Sequence, residues 1–276
     1  MSGFLEQMAA TSVARVRAAK ARVAEAALLE RAQRTPAPPP LRLAAEGFDL
    51  NAELKLRSPA DGALGAVDAS VAAYVVAYAH AGAAAVSVLT EPTRFDGSLT
   101  HLADAARALA PHQVPAMRKD FLVDPYQVLE ARAAGAGGVL LILRMLSREA
   151  LGALLECART QGLFVLLEAF DAQDLEHLGE VVAADAGRST LLAGVSCRDL
   201  ATLEVVPERL LELAPLLPRG VPQVAESGVA GPEDARRLAG AGYRLILVGS
   251  ALMRDQDPAG LARALIEAGR AARRTS

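Results

Sequence analysis

The chain has 276 residues, 52% of them hydrophobic and 22% charged, and its 29 Lys and Arg against 32 Asp and Glu leave a formal net charge of −3. Only 4% of residues are aromatic and none is Trp, so neither the basic face nor the stacking rings used to bind nucleic acid are supplied. No apolar run reaches the ~18 residues of a membrane span, and the N-terminus has no signal-peptide core. The two cysteines, Cys157 and Cys197, show neither metal-ligand spacing nor a disulfide framework. The expectation is a reduced, cytoplasmic setting with no membrane or nucleic-acid partner.

Residues Phe4 to about Gln33 carry a helical pattern, with Leu5, Met8, Val13 and Val16 spaced along one face. Thr35-Pro36-Ala37-Pro38-Pro39-Pro40 ends it. Residues 1–40 are therefore expected as an N-terminal helical arm with a stiff, Pro-rich linker, and 41–276 as the main domain. The first strand is Leu50 to Lys55, ended by Arg57-Ser58-Pro59. Helix Val67 to Ala81 then leads to strand Ala84 to Leu89, and helix Leu99 to Leu109 to strand Val114 to Met117. Helix Pro125 to Ala134 precedes strand Gly138 to Leu143, and helix Arg148 to Thr160 precedes strand Phe164 to Leu167. Helix Ala172 to Ala183, strand Leu191 to Val195, helix Pro207 to Leu217 and strand Val221 to Ala225 follow. Helix Pro232 to Ala241, strand Leu245 to Val248 and a last helix near Pro258 to Ala272 close the pattern. Gly82, Gly135, Gly162 and Gly242 sit where helices should end.

The strands are continuous apolar runs, as in a parallel sheet covered by helices on both faces. Eight such strand–helix units in this length predict an α/β fold of the closed (β/α)8 TIM-barrel type, preceded by the helical extension. An open doubly wound sheet is the alternative, but no Gly-x-Gly-x-x-Gly follows the first strand.

In such a barrel the C-terminal strand ends line the mouth where active sites lie. Arg118, Lys119 and Asp120 abruptly stop the run ending at Met117. A lysine at the mouth of a buried strand is costly to desolvate unless something uses it. One such residue is explained equally by a solvated loop; its recurrence is not. Side chains two apart share a face. Glu53 therefore shares one with Lys55, Lys119 with Met117, Glu168 with Leu166, Ser196 with Arg198, and Glu226 with Val224. If those faces point inward, the mouth gathers three carboxylates, two lysines and an arginine, of which any single pair could be a structural salt bridge. After the last two strands, Ser227-Gly228 and Gly249-Ser250 offer backbone amides to an anion and form the expected phosphate site. His80, His101, His112 and His177 fall in helices or helix-end loops and are read as solvated, and Cys197 as a buried structural thiol.

Several stretches together resemble one family. They are Glu53-Leu54-Lys55-Leu56-Arg57-Ser58-Pro59, Thr90-Glu91-Pro92 with Phe95-Asp96-Gly97-Ser98, and Arg118-Lys119-Asp120-Phe121. Arg198-Asp199-Leu200, Ala225-Glu226-Ser227-Gly228-Val229 and the arm's Phe4-Leu5-Glu6 complete the set. Over nearly the whole chain they resemble indole-3-glycerol phosphate synthase. The resemblance implies a carboxy-lyase of tryptophan biosynthesis acting on a phosphorylated small molecule, 1-(2-carboxyphenylamino)-1-deoxyribulose 5-phosphate. It implies no cofactor and no metal, and a monomer or weak homo-oligomer is expected. By the same match, Lys119 is the general acid on the ketone oxygen, Lys55 positions the anionic substrate, and Glu168 moves protons during dehydration. Glu53 and Glu226 orient the lysines, while Ser58, Pro59, Phe95, Phe121 and Arg198 contact the substrate.

The chain also departs from the family pattern. Ser196-Cys197-Arg198 stands where the family has Asn-Asn-Arg, and Glu168-Ala169-Phe170 where it usually has Glu-Val-His. Arg144 occupies a place that is small and apolar in the family, and the arm lacks an aromatic residue where some members place one over the aryl ring. Ser196 and Arg144 are therefore expected to touch the substrate, and they motivate an alternative: a diverged enzyme acting on a related arylamino-sugar phosphate. A non-catalytic phosphate-binding barrel is the third reading, opposed by the joint presence of Glu53, Lys55, Lys119, Glu168 and Glu226.

Overall fold

Eight parallel strands close on themselves in a computed structural model that describes residues 3–45, 47–60, 62–64, 70–199 and 202–274. They are β1 (Asp49–Leu54), β2 (Ala85–Leu89), β3 (Ala116–Lys119), β4 (Gly138–Ile142), β5 (Phe164–Ala169), β6 (Leu191–Ser196), β7 (Gln223–Glu226) and β8 (Leu245–Val248). Each pairs with its sequence neighbours, and β8 returns to β1 with Asn51 opposite Leu247.

The closed sheet follows from strands that are apolar on both sides. Leu50, Ala52, Leu54, Val86, Val88, Val139 and Leu141 belong to the layer beneath the helices. The residues alternating with them, among them Met117, Leu140, Ile142, Phe164, Leu166, Val224 and Leu247, fill the barrel axis. One strand therefore contributes to two cores, which an alternating polar–apolar strand could not do.

Most expected elements stand within two residues of their expected ends, and Gly82, Gly135, Gly162 and Gly242 all take positive φ after their helices. The differences are local. Strand β3 begins later and includes Lys119, so the lysine is the last residue of the strand rather than the first of a loop. The helix expected from Val67 runs Val71–His80, and Val67 itself lies outside the described residues. A short antiparallel pair, Arg57–Ser58 with Gly62–Ala63, follows β1, and a five-residue helix, Ser250–Arg254, follows β8. No helix among the described residues is long and apolar enough to cross a membrane.

The arm is two helices rather than one: α1 (Gly3–Arg22) and α2 (Glu25–Arg34). At the break, the Tyr126 hydroxyl lies 2.9 Å from the Val23 carbonyl and 3.2 Å from that of Ala19. A barrel side chain thus donates to two carbonyls at the end of α1, of which that of Ala19 also accepts the Val23 amide at 2.9 Å. Leu5 and Met8 of α1 join the same apolar cluster as the barrel interior.

The firmest attachment of α1 is to the loop directly after Lys119. Arg15 donates to both Asp120 oxygens at 2.9 and 2.7 Å, and Ser12 donates to the Phe121 carbonyl at 2.5 Å. Asp120 also accepts from Thr90 at 2.7 Å and from Arg118 at 3.1 Å. Burial would raise its pKa, but Arg15 and Arg118 hold the carboxyl well below the usual range. Asp120→Asn would leave Arg15 without its paired carboxylate and Arg118 with Glu130 alone, so unfolding free energy should fall by about 3 kcal/mol. Urea denaturation measures this; a loss under ~1 kcal/mol, the scale of an exposed pair, would show that the arm does not depend on it.

Candidate active site

A cavity of about 640 Å³ opens at the C-terminal ends of the strands, within the range of small-molecule sites. The parity expected from sequence is found. Glu53, Lys55, Lys119, Glu168, Ser196, Arg198 and Glu226 all line the cavity, as do Ser227, Gly228, Gly249, Ser250, Phe95 and Phe121. None of the four histidines does.

Three expected residues are placed elsewhere. Ser58 is buried beneath the hairpin and Pro59 is exposed on it, so neither lines the wall. Arg144 is also absent from the wall: its guanidinium bonds Asp174 at 2.8 and 2.5 Å and Asp171 at 2.5 Å. The first turn of a neighbouring helix supplies those carboxylates, which no reading confined to strand ends could foresee.

Conversely, the arm does bring an aromatic ring. Phe4 lines the cavity and meets Phe121 edge-on, with centroids 5.9 Å apart. With Leu5, Phe95, Leu140, Ile142 and Phe170 it makes an apolar end, across the mouth from the Ser227-Gly228 and Gly249-Ser250 loops. Arg198 lines the wall between them, with one nitrogen 2.6 Å from the Leu203 carbonyl; Leu200 of its motif lies outside the described residues.

The floor is a cluster of buried charge. Lys55 Nζ lies 3.1 Å from Glu53 Oε1, and Lys119 Nζ lies 4.0 Å from Glu53 Oε2 and 3.7 Å from Glu226 Oε2. The last two distances are Coulombic contacts, too long for hydrogen bonds. Among the described residues, both Glu226 oxygens accordingly lack a hydrogen-bond partner. Burial would lift the Glu53 carboxyl, but Lys55 and Lys119 outweigh it and hold the group below its ordinary value. Burial would weaken the Lys119 ammonium, but Glu168, Glu226 and Glu53 raise its pKa instead. For Glu226, burial and the neighbouring Glu168 charge prevail over Lys119 and push the carboxyl far up. Two acids beside one ammonium are thereby pushed in opposite directions, Glu53 down and Glu226 up, the separation by which paired acids acquire distinct roles.

Two glycines make room for this cluster. A Cβ at Gly194 would collide with the Glu226 carboxylate, and one at Gly249 with that of Glu53. Gly249, expected only as a phosphate-loop residue, also lets Glu53 reach Lys55. Ser227 and Gly228 both have positive φ, at 69° and 73°, which turns their backbone toward the mouth. Cys197 is fully buried behind Gly228, and burial pushes its thiol up to about 11, so it is inert.

Because folding raises the Glu226 pKa, the native state retains a proton that the unfolded chain releases above the ordinary carboxylate range. Stability should therefore fall as pH rises from that range toward the native value. Glu226→Gln mimics the protonated form and should flatten the decline, its Tm gaining on wild type steadily as pH increases. A constant Tm difference across the same interval would show that Glu226 is ionised in the native protein.

Comparison with known proteins agrees with this geometry. A family model described as indole-3-glycerol phosphate synthase matches residues 5–265. Relatives bearing that name include one from Parafrankia, 46% identical over 88% of this chain and 88% of its own length. Another, from Mycolicibacterium vanbaalenii, is 42% identical over 92% and 90%. Among solved structures, 3-hexulose-6-phosphate synthase from Salmonella typhimurium superposes with a TM-score of 0.60 over 82% of this chain and all of that one, at 16% identity. At that identity the likeness speaks for the barrel alone.

Proposed function

The chain belongs to the indole-3-glycerol phosphate synthase family, and from that premise we propose how its own residues close and dehydrate the indole ring of 1-(2-carboxyphenylamino)-1-deoxyribulose 5-phosphate. One observation carries the assignment: Lys119, with Glu53 and Glu226 at 4.0 and 3.7 Å, stands in one cavity between an apolar aromatic end and the Ser227-Gly228 and Gly249-Ser250 loops. The aryl ring takes the end lined by Phe4, Phe95, Phe121 and Phe170, and the phosphate takes the amides of Ser227-Gly228 and Gly249-Ser250. The ketone then spans the centre, within reach of Lys119.

The ring carbon that bears the carboxylate attacks the ketone carbon. Electron density moves onto the ketone oxygen, and Lys119 stabilises and protonates it. Carbon dioxide leaves with its bonding electrons returned to the ring, which restores aromaticity. Dehydration then removes the new hydroxyl and a proton from the adjacent carbon. Glu168 exchanges that proton, and the protonated Glu226 offers a second donor at the same end of the cluster. Lys55, paired with Glu53, supplies a cation for the substrate's carboxylate, offsetting its desolvation.

The geometry favours this substrate over a related arylamino-sugar phosphate. Of the two departures that suggested a changed substrate, Arg144 is engaged by Asp171 and Asp174 and brings no cation into the cavity. Ser196 remains as the change that lines the wall.

Lys119→Ala should lower ring closure by ~10²-fold or more, the general-acid scale. Indole formation can be followed by its fluorescence, with circular dichroism unchanged. Equal turnover in variant and wild type would remove Lys119 from the chemistry. Ser250→Glu would set a negative charge where the phosphate is expected. Its KM should rise about tenfold or more, as for one lost charge-assisted contact, while Tm moves little. An unchanged KM would place the phosphate elsewhere.

A further inference from the structure

Arg144 reaches Phe170 by two routes. Its guanidinium carbon lies 4.9 Å from the Phe170 ring centroid, and its Nε lies 2.8 Å from Asp174 Oδ2. That same oxygen accepts the Phe170 backbone N–H at 2.9 Å. Asp174 is in turn placed by Asp171, which caps the helix beginning at Ala172 and accepts the Asp174 amide at 3.0 Å. Ring face and backbone of Phe170 are thus held by one ion pair, on the residue two positions after Glu168. Phe170 is only 4% exposed, yet it lines the cavity alongside Ile142 and Phe121.

A surface salt bridge alone does not account for this arrangement. A guanidinium over a ring prefers one ring orientation, and a carboxylate shared by a main-chain amide and an arginine fixes that orientation to the backbone. We propose that Arg144 is a positioning residue: through the Phe170 ring and Asp174 it holds Phe170 as a rigid apolar wall beside Glu168, and so sets which aryl rings the site accepts. The proposal rests on the aryl-end reading above. Arg144 itself touches no substrate, and the selectivity it confers acts entirely through Phe170.

Because the effect passes through one side chain, it has a distinctive signature. The ratio of kcat/KM for a ring-methylated substrate to that for the unsubstituted one should rise about threefold or more in Arg144→Met, since a loosened wall yields to added bulk. Phe170→Leu should raise the ratio by itself. Adding Arg144→Met to Phe170→Leu should then change it by less than about 1.5-fold, the non-additivity of residues acting through one contact. Arg144→Lys, which keeps the charge but not the planar fork, should fall between wild type and Arg144→Met. A purely stabilising Arg144 would lower Tm and leave the ratio alone. Equal changes in both backgrounds, or none in either, would overturn the proposal.

Wild-type turnover of the unsubstituted substrate is the control, and its failure would count against the aryl-end reading. The clamp is still tested without any substrate. Amide exchange at Phe170, followed by NMR, should quicken about tenfold or more in Arg144→Met while Leu166 and Leu167 keep wild-type rates. Unchanged exchange at Phe170 would overturn the clamp itself.

Discussion

The ammonium of Lys119 is the charge around which the mouth of the barrel is arranged. Buried on its own it would shed its proton or unfold its strand. Three carboxylates from β1, β5 and β7 keep it cationic. Those acids are constrained in turn: Lys55 and Lys119 hold Glu53 below its ordinary value, while burial and the Glu168 charge push Glu226 far above its own. Even the glycines at 194 and 249 answer to this cluster, since any side chain there would displace a carboxylate. An arrangement so dependent on mutual compensation is poorly suited to mere packing. A barrel interior filled by apolar residues would be at least as stable, so the charge points to chemistry.

The tripeptide Arg118-Lys119-Asp120 divides two tasks by strand parity. Lys119 turns into the barrel, while Arg118 and Asp120 turn out and are almost fully buried beneath α1 and the helix that follows. The outward pair ties the arm to the loop after β3, and the arm returns Phe4 and Leu5 to the cavity. The third strand, the arm and the apolar end of the cavity are therefore joined through one carboxylate, Asp120.

Arg144 shows how a charged residue near an active site can act without entering it. Its net effect inside the cavity is apolar, a braced phenyl ring, because its single charge is engaged by Asp171 and Asp174. The opposite end is built differently, from small residues after two strand ends, Ser227-Gly228 and Gly249-Ser250, of which the first two have positive φ. One half of the site is thus shaped by side-chain bracing and the other by main-chain conformation.

Much of this was legible in the linear chain, for a definite reason. Strand continuity, helix ends and which residues of a strand share a face are local properties, set by a period of two or 3.6 residues and by where glycine and proline fall. They sufficed for the eight-stranded barrel and for the inward placement of Glu53, Lys55, Lys119, Glu168, Ser196, Arg198 and Glu226. Glycine spacing after the last two strands pointed to the Ser227-Gly228 and Gly249-Ser250 loops, and family motifs to Phe95 and Phe121, all of which line the cavity. What sequence could not decide were contacts between distant segments. Tyr126 at the break in the arm, Arg15 on Asp120, Asp174 on Arg144 and Phe4 on Phe121 all join segments far apart in sequence. The opposite pKa shifts of Glu53 and Glu226 belong with them: the two side chains are identical, and their burial and their distances from the neighbouring charges are set by tertiary structure alone.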